Sequence, residues 1–230
     1  MPEAPVFLIT GASSGIGAAT ARQAAGLGYR LVLAARREEK VSELSEELGG
    51  PEQALPIRCD VTDWEDQQSL IQTCLERFGR VDVVYANAGM PGSPGGFTGA
   101  DPGRWRDMVL TNVYGAALTA RASLEALKAS KGHLLLTGSV AGRRANSGSM
   151  YSATKWAVTG MGEAIRQEMA GTGVRVTLIE PGMVDTPFFD TPKPDALRPE
   201  DVARAVLYAV DQPAHVDVNE ILVRPTSQDN

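Results

Sequence analysis

The chain has 230 residues, 43% hydrophobic and 22% charged, which excludes wholesale disorder and fits an α/β domain of ordinary size. Lys and Arg number 22 against 28 Asp and Glu, and the resulting net charge of −6 argues against a general binder of nucleic-acid backbones. Two cysteines (Cys59 and Cys74) and two histidines give neither a disulfide framework nor a metal cluster, and no apolar run nears the roughly 18 residues of a membrane helix. The start has no basic leader and runs straight into an apolar stretch, so the chain reads as a soluble, cytoplasmic protein.

Residues 6–9 are a short apolar run cut off by Thr10-Gly11, the pattern of a buried parallel strand. The Ala-rich stretch 15–27 favours helix, with Gly28 to close it. A second strand is expected at 31–35, then a charged helix at 38–48 stopped by Gly49-Gly50-Pro51, then a weaker strand at 55–58. A helix over 63–78 takes Thr62 or Asp63 as N-cap and Gly79 at its end. The buried-strand pattern returns at 81–86. A Gly/Pro-rich loop at 90–103 leads into a long helical region reaching about 129. A strand at 134–137, a helix at 150–170, a strand at 174–179, a helix at 199–210 and a strand at 220–223 complete the set. Such alternation predicts an α/β fold of Rossmann type: a doubly wound, parallel, seven-stranded sheet with helices on both faces, in a single domain over 1–230.

Between the first strand and first helix lies Thr10-Gly11-Ala12-Ser13-Ser14-Gly15-Ile16-Gly17, where a glycine turn lets backbone amides and a helix N-terminus face a diphosphate. Its spacing is Gly-x₃-Gly-x-Gly, and it lacks the Gly-Lys-Ser/Thr ending that a nucleoside-triphosphate loop needs. The second strand ends Ala34-Ala35-Arg36-Arg37. An acid there would hold an adenosine ribose; two guanidiniums instead suit a 2′-phosphate, so NADP(H) is expected over NAD(H), with a solvated basic pair as the plain alternative. Asp60-Val61 after the third strand is placed to meet the adenine. Asn87-Ala88-Gly89 after the fourth is placed to line the cofactor cleft.

Tyr151 and Lys155 stand at i and i+4 of a predicted helix, so their side chains are neighbours. A nearby ammonium stabilises phenolate and lowers the phenol's pKa, which makes Tyr a general acid for ketone reduction and a base for alcohol oxidation. Ser139, just past the fifth strand, is placed to hydrogen-bond a substrate oxygen. Asn112 interrupts an apolar helical stretch and needs partners. It either bonds backbone or positions a water that serves the lysine. After the sixth strand, Pro181-Gly182-Met183-Val184-Asp185-Thr186 forms a turn able to press on a nicotinamide.

In this order, the glycine turn, Asn87-Ala88-Gly89, Asn112, Ser139, Tyr151-x₃-Lys155 and Pro181-Gly182 resemble the short-chain dehydrogenase/reductase family over essentially the whole chain. The resemblance implies Tyr151 as proton donor or acceptor, Lys155 as the group that lowers its pKa and holds the nicotinamide ribose, and Ser139 orienting the carbonyl. Asn112 would support a proton-relay water. It implies Gly11, Ser13, Ser14, Ile16 and the neighbouring Gly15 and Gly17 at the pyrophosphate, Arg36 with Arg37 as NADP-selecting residues, and Asp60 and Val61 at the adenine. Asn87 falls on the adenosine side, Val184 and Thr186 on the nicotinamide side. Two departures stand out: Ala86 occupies a position where the family often has Asn, and Ser139 and Tyr151 are 12 residues apart, at the short end for the family. The ending around Val216–Thr226 resembles bacterial NADP-dependent 3-hydroxy acid and serine dehydrogenases. A homodimer or homotetramer through the helices around Trp105 and Trp156 is also implied.

The expected activity is hydride transfer between nicotinamide and a carbonyl or secondary alcohol. The alternatives are a non-catalytic NADP(H) sensor on the same fold, against which intact Ser139, Tyr151 and Lys155 argue, and a sugar-nucleotide epimerase, for which 230 residues leave little room. The substrate should be a small molecule held between the loop at 90–103, the segment after Ser139 and the stretch 183–198, whose prolines suit a lid that orders on binding. Arg143 and Arg144 either attract a substrate carboxylate or are solvated loop residues. No partner is expected for His133 or His215 in catalysis.

Overall fold

A computed structural model describes residues 4–189 and 191–228. The elements are β1 (Val6–Thr10), α1 (Gly15–Gly26), β2 (Arg30–Ala35), α2 (Glu38–Glu47), β3 (Ala54–Arg58), α3 (Trp64–Phe78), β4 (Val83–Ala86), α4 (Gly96–Gly99), α5 (Pro102–Val109), a π-helical segment (Leu110–Gly115), α6 (Ala116–Ser130), β5 (His133–Thr137), α7 (Met150–Met169), β6 (Arg175–Pro181), α8 (Pro199–Val210) and β7 (Glu220–Val223). The strands form one parallel sheet in the order β3-β2-β1-β4-β5-β6-β7, so the expected seven-stranded, doubly wound architecture is what the chain adopts.

Nearly all residues of the five inner strands, β1, β2, β4, β5 and β6, are buried on both faces because helices cover both, while the edge strands β3 and β7 stay partly exposed. Val6, Leu8, Val32, Val84, Leu134 and Leu178 point to one side, where Leu70, Ala120 and Val158 of α3, α6 and α7 meet them. Phe7, Ile9, Leu31, Leu33, Leu135 and Ile179 point to the other, against Ala21 of α1, Leu44 of α2 and Val206 of α8. The period-2 side-chain alternation is therefore hidden in sequence, and the strands read as continuous apolar runs. β1 and β4 are neighbours, and the chain leaves them toward opposite faces. That switch point opens a crevice at the carboxyl ends of the strands.

Local chemistry sets most boundaries. The Asp63 carboxylate accepts from the Glu65 and Asp66 N–H groups at 2.8 and 3.0 Å, and Gly79 closes the helix in the left-handed region. The loop expected at 90–103 holds more structure than its glycines suggest: α4 lies inside it, and α5 starts at Pro102 because Asp101 caps the Gly103 N–H. The single long helix expected beyond it is divided by the π-helical segment. β4 is shorter than expected, since the Asp82 carboxylate, not backbone, takes the Val6 N–H. β6 runs two residues further, because Pro181 still pairs in register with Val223 of β7.

His133 shows how burial decides charge. Thr177 Oγ1 donates to the Val218 carbonyl, so it accepts from His133 Nε2–H at 2.7 Å, and Nδ1 is left with no partner. Burial, with the Arg175 charge, pushes the imidazole from its ordinary 6.5 to about 3. The unfolded chain takes up this proton below 6.5 and the folded one does not. His133 therefore costs stability progressively as pH falls from 6.5 toward 3, at about 1.4 kcal/mol per pH unit. Denaturant melts across that window should show the slope in the native chain and lack it in His133→Gln; an equal slope in both would acquit the histidine.

Candidate active site

One cleft of about 690 Å³ lies at the switch point. Its lining gathers Gly11, Ser13, Ser14, Gly15 and Ile16 after β1, Arg36 and Arg37 after β2, Asp60 and Val61 after β3, and Asn87, Ala88 and Gly89 after β4. Ser139 follows β5, Tyr151 and Lys155 come from α7, and Pro181, Gly182, Val184 and Thr186 from β6 and its exit. Two expected residues are not in this wall, Gly17 and Asn112.

Gly17 works by close approach. A Cβ there would stand 2.5 Å from the Gly11 carbonyl oxygen, so only glycine lets α1 begin against the turn. Asn112 is held elsewhere: its Oδ1 accepts the Met90 N–H at 2.7 Å, and its Nδ2 donates to the Met90 carbonyl at 3.0 Å and to Thr154 Oγ1 at 3.2 Å. Its amide therefore pins the start of the loop at 90–103, which is the backbone-bonding alternative for this residue. An amide with its oxygen and both N–H groups spent has no donor left to aim at the cleft.

The β1–α1 turn suits an anion. Ser14 precedes α1 in an extended conformation, makes no side-chain cap and is followed by no acid in the first turn, which leaves the helix's first N–H groups available. Asp63 and Ser149, by contrast, cap α3 and α7. Arg37 Nη2 donates to Ser13 Oγ at 2.9 Å and Ser14 Oγ at 3.2 Å, holding a guanidinium beside the turn. A dinucleotide diphosphate fits this donor set. Asn87 ties the floor together, its Nδ2 donating to the Thr10 carbonyl at 3.0 Å and its Oδ1 accepting from Thr137 Oγ1 at 3.3 Å.

At the other end, Lys155 is buried and its Nζ donates to the Thr137 carbonyl at 2.7 Å. It lies 5.6 Å from the centre of the Tyr151 ring. Burial lowers the Lys155 pKa to about 8. Burial also pushes the Tyr151 phenol up to about 12, against a smaller opposing hydrogen bond with Ser139. Desolvation of phenolate sets the direction of the shift, and the Lys155 ammonium makes its close contact with the Thr137 carbonyl. Ser139 Oγ accepts the Ala141 N–H at 3.1 Å and faces the Pro181 carbonyl at 3.4 Å, which fixes its hydroxyl at the base of the cleft.

Arg143 corrects both of its readings. Its Nε donates to Glu180 Oε1 at 2.7 Å, and Nη2 pairs with Glu220, so it is neither a solvated loop residue nor open to a substrate acid. Arg144 is exposed and outside the cleft wall. Trp105 packs on Phe97 with ring centres 5.2 Å apart, while Trp156 stands half-exposed on α7. The buried Cys59 and Cys74 thiols are pushed up to about 12 and stay unreactive. Among the described residues no group of three His, Cys, Asp or Glu could hold a metal, and no helix is long and apolar enough to cross a membrane.

A family model described as short chain dehydrogenase matches residues 5–196. The chain belongs to the short-chain dehydrogenase family. It is 40% identical over 242 aligned positions to an uncharacterized oxidoreductase of Listeria monocytogenes, covering 97% of each chain. It is similar to an alcohol dehydrogenase of the archaeon Thermococcus sibiricus complexed with 5-hydroxy-NADP, with a TM-score of 0.91, 33% identity and 99% of each chain covered. It also resembles the closed form of a serine dehydrogenase complexed with NADP+, with a TM-score of 0.90, 29% identity, and 98% of this chain and 96% of the other covered. This short-chain dehydrogenase is an oxidoreductase whose structural neighbours hold nicotinamide cofactors.

Several cleft residues of this short-chain dehydrogenase carry no signal in the sequence. Thr137 supplies the carbonyl under Lys155, and only its place two residues before Ser139 hints at it. Gln228 reaches the cleft from the end of the described chain, its Oε1 accepting the Met183 N–H at 2.8 Å. Asn146 and Ser149 enter from the turn before α7.

Proposed function

We propose that this short-chain dehydrogenase is an NADP(H)-dependent oxidoreductase acting on a carbonyl or secondary alcohol, with Tyr151 as general acid and base. The observation that carries the reading is the meeting of Ser139, Tyr151 and Lys155 in the same cleft as the uncapped N-terminus of α1. Arg36 and Arg37 at the end of β2, with no acid between Ala34 and Arg37, support NADP(H), as do the NADP-type molecules named for two structural neighbours. Gly11, Ser13, Ser14, Gly15 and Ile16 would hold the diphosphate, Asp60 and Val61 the adenine, and Pro181, Gly182, Val184 and Thr186 the nicotinamide end.

A reduced nicotinamide held by these residues would be the source of a hydride for the substrate's carbonyl carbon. The Ser139 hydroxyl orients the carbonyl oxygen, and the Tyr151 O–H gives that oxygen its proton as charge develops. A phenol at about 12 is fully protonated at neutral pH and so is loaded for reduction. Solvent then returns the proton to Tyr151. Lys155, positively charged below about 8, steadies the developing phenolate.

The test is a panel of ketones, aldehydes and keto acids with NADPH, followed by nicotinamide absorbance. Consumption with at least one substrate is expected; tight NADPH binding with no consumption by any would point to the sensor instead. For a working substrate, reductive kcat/KM should be level below neutrality and fall as pH rises through about 8, where Lys155 loses its charge. A profile that is flat on the alkaline side would remove Lys155 from the proton balance.

A further inference from the structure

We infer that the substrate end of the cleft takes an uncharged carbonyl compound with aryl or alkyl flanks, and not a hydroxy or keto acid. The inference rests on the oxidoreductase reading above and narrows it.

Charge is distributed unevenly along the cleft. Among the described residues its lining cations are Arg36, Arg37 and Lys155, and its lining acid is Asp60. Arg37 is bonded to the serines of the glycine turn, and Arg36 and Asp60 follow β2 and β3, so these three mark the adenosine end. Lys155 is buried beneath the Tyr151 ring with its ammonium on the Thr137 carbonyl.

Past Tyr151 the wall is made of Met90, Pro91, Val140, Met183, Phe188 and Phe189. Phe188 meets Tyr151 edge-on with ring centres 6.0 Å apart and meets Phe189 at 5.5 Å. A Cβ on Gly92 would stand 3.3 Å from that of Tyr151, so the chain after Met90 passes close to the base of the same side chain. Thr186 lies against Gly15, and Phe188 against Tyr151, so the segment leaving β6 crosses from the cofactor turn to the substrate end and covers it with aromatic surface. The polar lining groups at this end, Asn146, Ser149 and Gln228, are uncharged.

The guanidinium that sequence places nearest, Arg143, is withdrawn from the cleft. Glu180, 1% exposed, and Glu220 hold it, and releasing it to a substrate would strand the Glu180 carboxylate in the interior. Arg144 and Lys193 do not line the cleft; Lys193 lies over the Phe189 ring at 5.7 Å. The undescribed positions 1–3, 190, 229 and 230 contain no Lys, Arg or His. Among the described residues the cation nearest this end is Lys155, engaged by the Thr137 carbonyl, so a carboxylate entering here would exchange its water for methyl groups and ring edges with no free guanidinium or ammonium to receive it, whereas an alkyl or phenyl group gains by the same exchange.

Two matched pairs share one carbonyl and differ in charge: ethyl acetoacetate against acetoacetate, and ethyl benzoylformate against benzoylformate. With NADPH the esters should exceed the acids in kcat/KM by about 10²-fold or more, and calorimetry on the NADP+-loaded protein should show the same preference in affinity. Acids handled as well as esters, or no member of either pair bound, would overturn the inference. Esters that bind selectively without being reduced would support it and count instead against the carbonyl-reducing reading proposed above. Phe188→Arg, with NADPH binding used to verify its fold, should raise the acid-to-ester ratio by about tenfold; an unchanged ratio counts against this wall.

Discussion

Tyr151→Phe is expected to lower turnover by about 10²–10⁴-fold while NADPH affinity stays within a few-fold of the parent. The change removes one hydroxyl and leaves the ring against Phe188 and over Lys155 undisturbed. What goes is the O–H beside Ser139, a phenol held protonated at neutral pH by burial and with an ammonium close to its ring. Ser139 and the cofactor turn remain, so binding should survive. Steady-state rates and fluorescence titration with NADPH separate the two effects. A variant that turns over normally removes Tyr151 from the reaction, and one that also loses NADPH assigns it to binding alone.

The double replacement Arg36→Ala, Arg37→Ala should weaken NADPH by about 30- to 100-fold and NADH by only a few-fold. Charge-assisted hydrogen bonds to a phosphate contribute about 1.5–3 kcal/mol, and NADH has no 2′-phosphate to lose them. Arg37 already stands on Ser13 and Ser14 beside the turn, and Arg36 lines the cleft after it. The Arg37 contribution to the diphosphate turn is shared by both cofactors, which explains the residual NADH effect. Equal losses for the two nucleotides would return the pair to the role of surface charge. Dissociation constants at fixed ionic strength decide it, since salt screens such contacts.

The surroundings of Tyr151 and of Asn112 were hidden in the sequence for a common reason. Whether Lys155 lowers the Tyr151 pKa depends on how deeply both are buried and on what else the ammonium touches, and the Thr137 carbonyl that engages it belongs to another element. The helical spacing of Tyr151 and Lys155 was legible; the sign of the pKa shift was not. Asn112 was legible as an amide in need of partners. That its partner would be the backbone of Met90, 22 residues away, follows from the π-helical segment and the path of the loop.

What the amino-acid order determined unaided was whatever neighbouring residues decide among themselves. Apolar runs of four to six residues became strands, Asp63 and Gly79 ended their helix, the glycine turn followed β1, and the motif positions other than Gly17 and Asn112 reached one cleft, most of them because parallel strands all present their carboxyl ends on one side. Only the tertiary structure decided what Arg143 faces. Glu180 lies 37 residues away, and Glu220 is farther still. They meet Arg143 because β6 packs between β5 and β7, and an ion pair across three strands depends on sheet order that short-range patterns do not encode. The polarity of the substrate wall was settled there too, since a guanidinium's reach is fixed by the carboxylates that the fold brings to it.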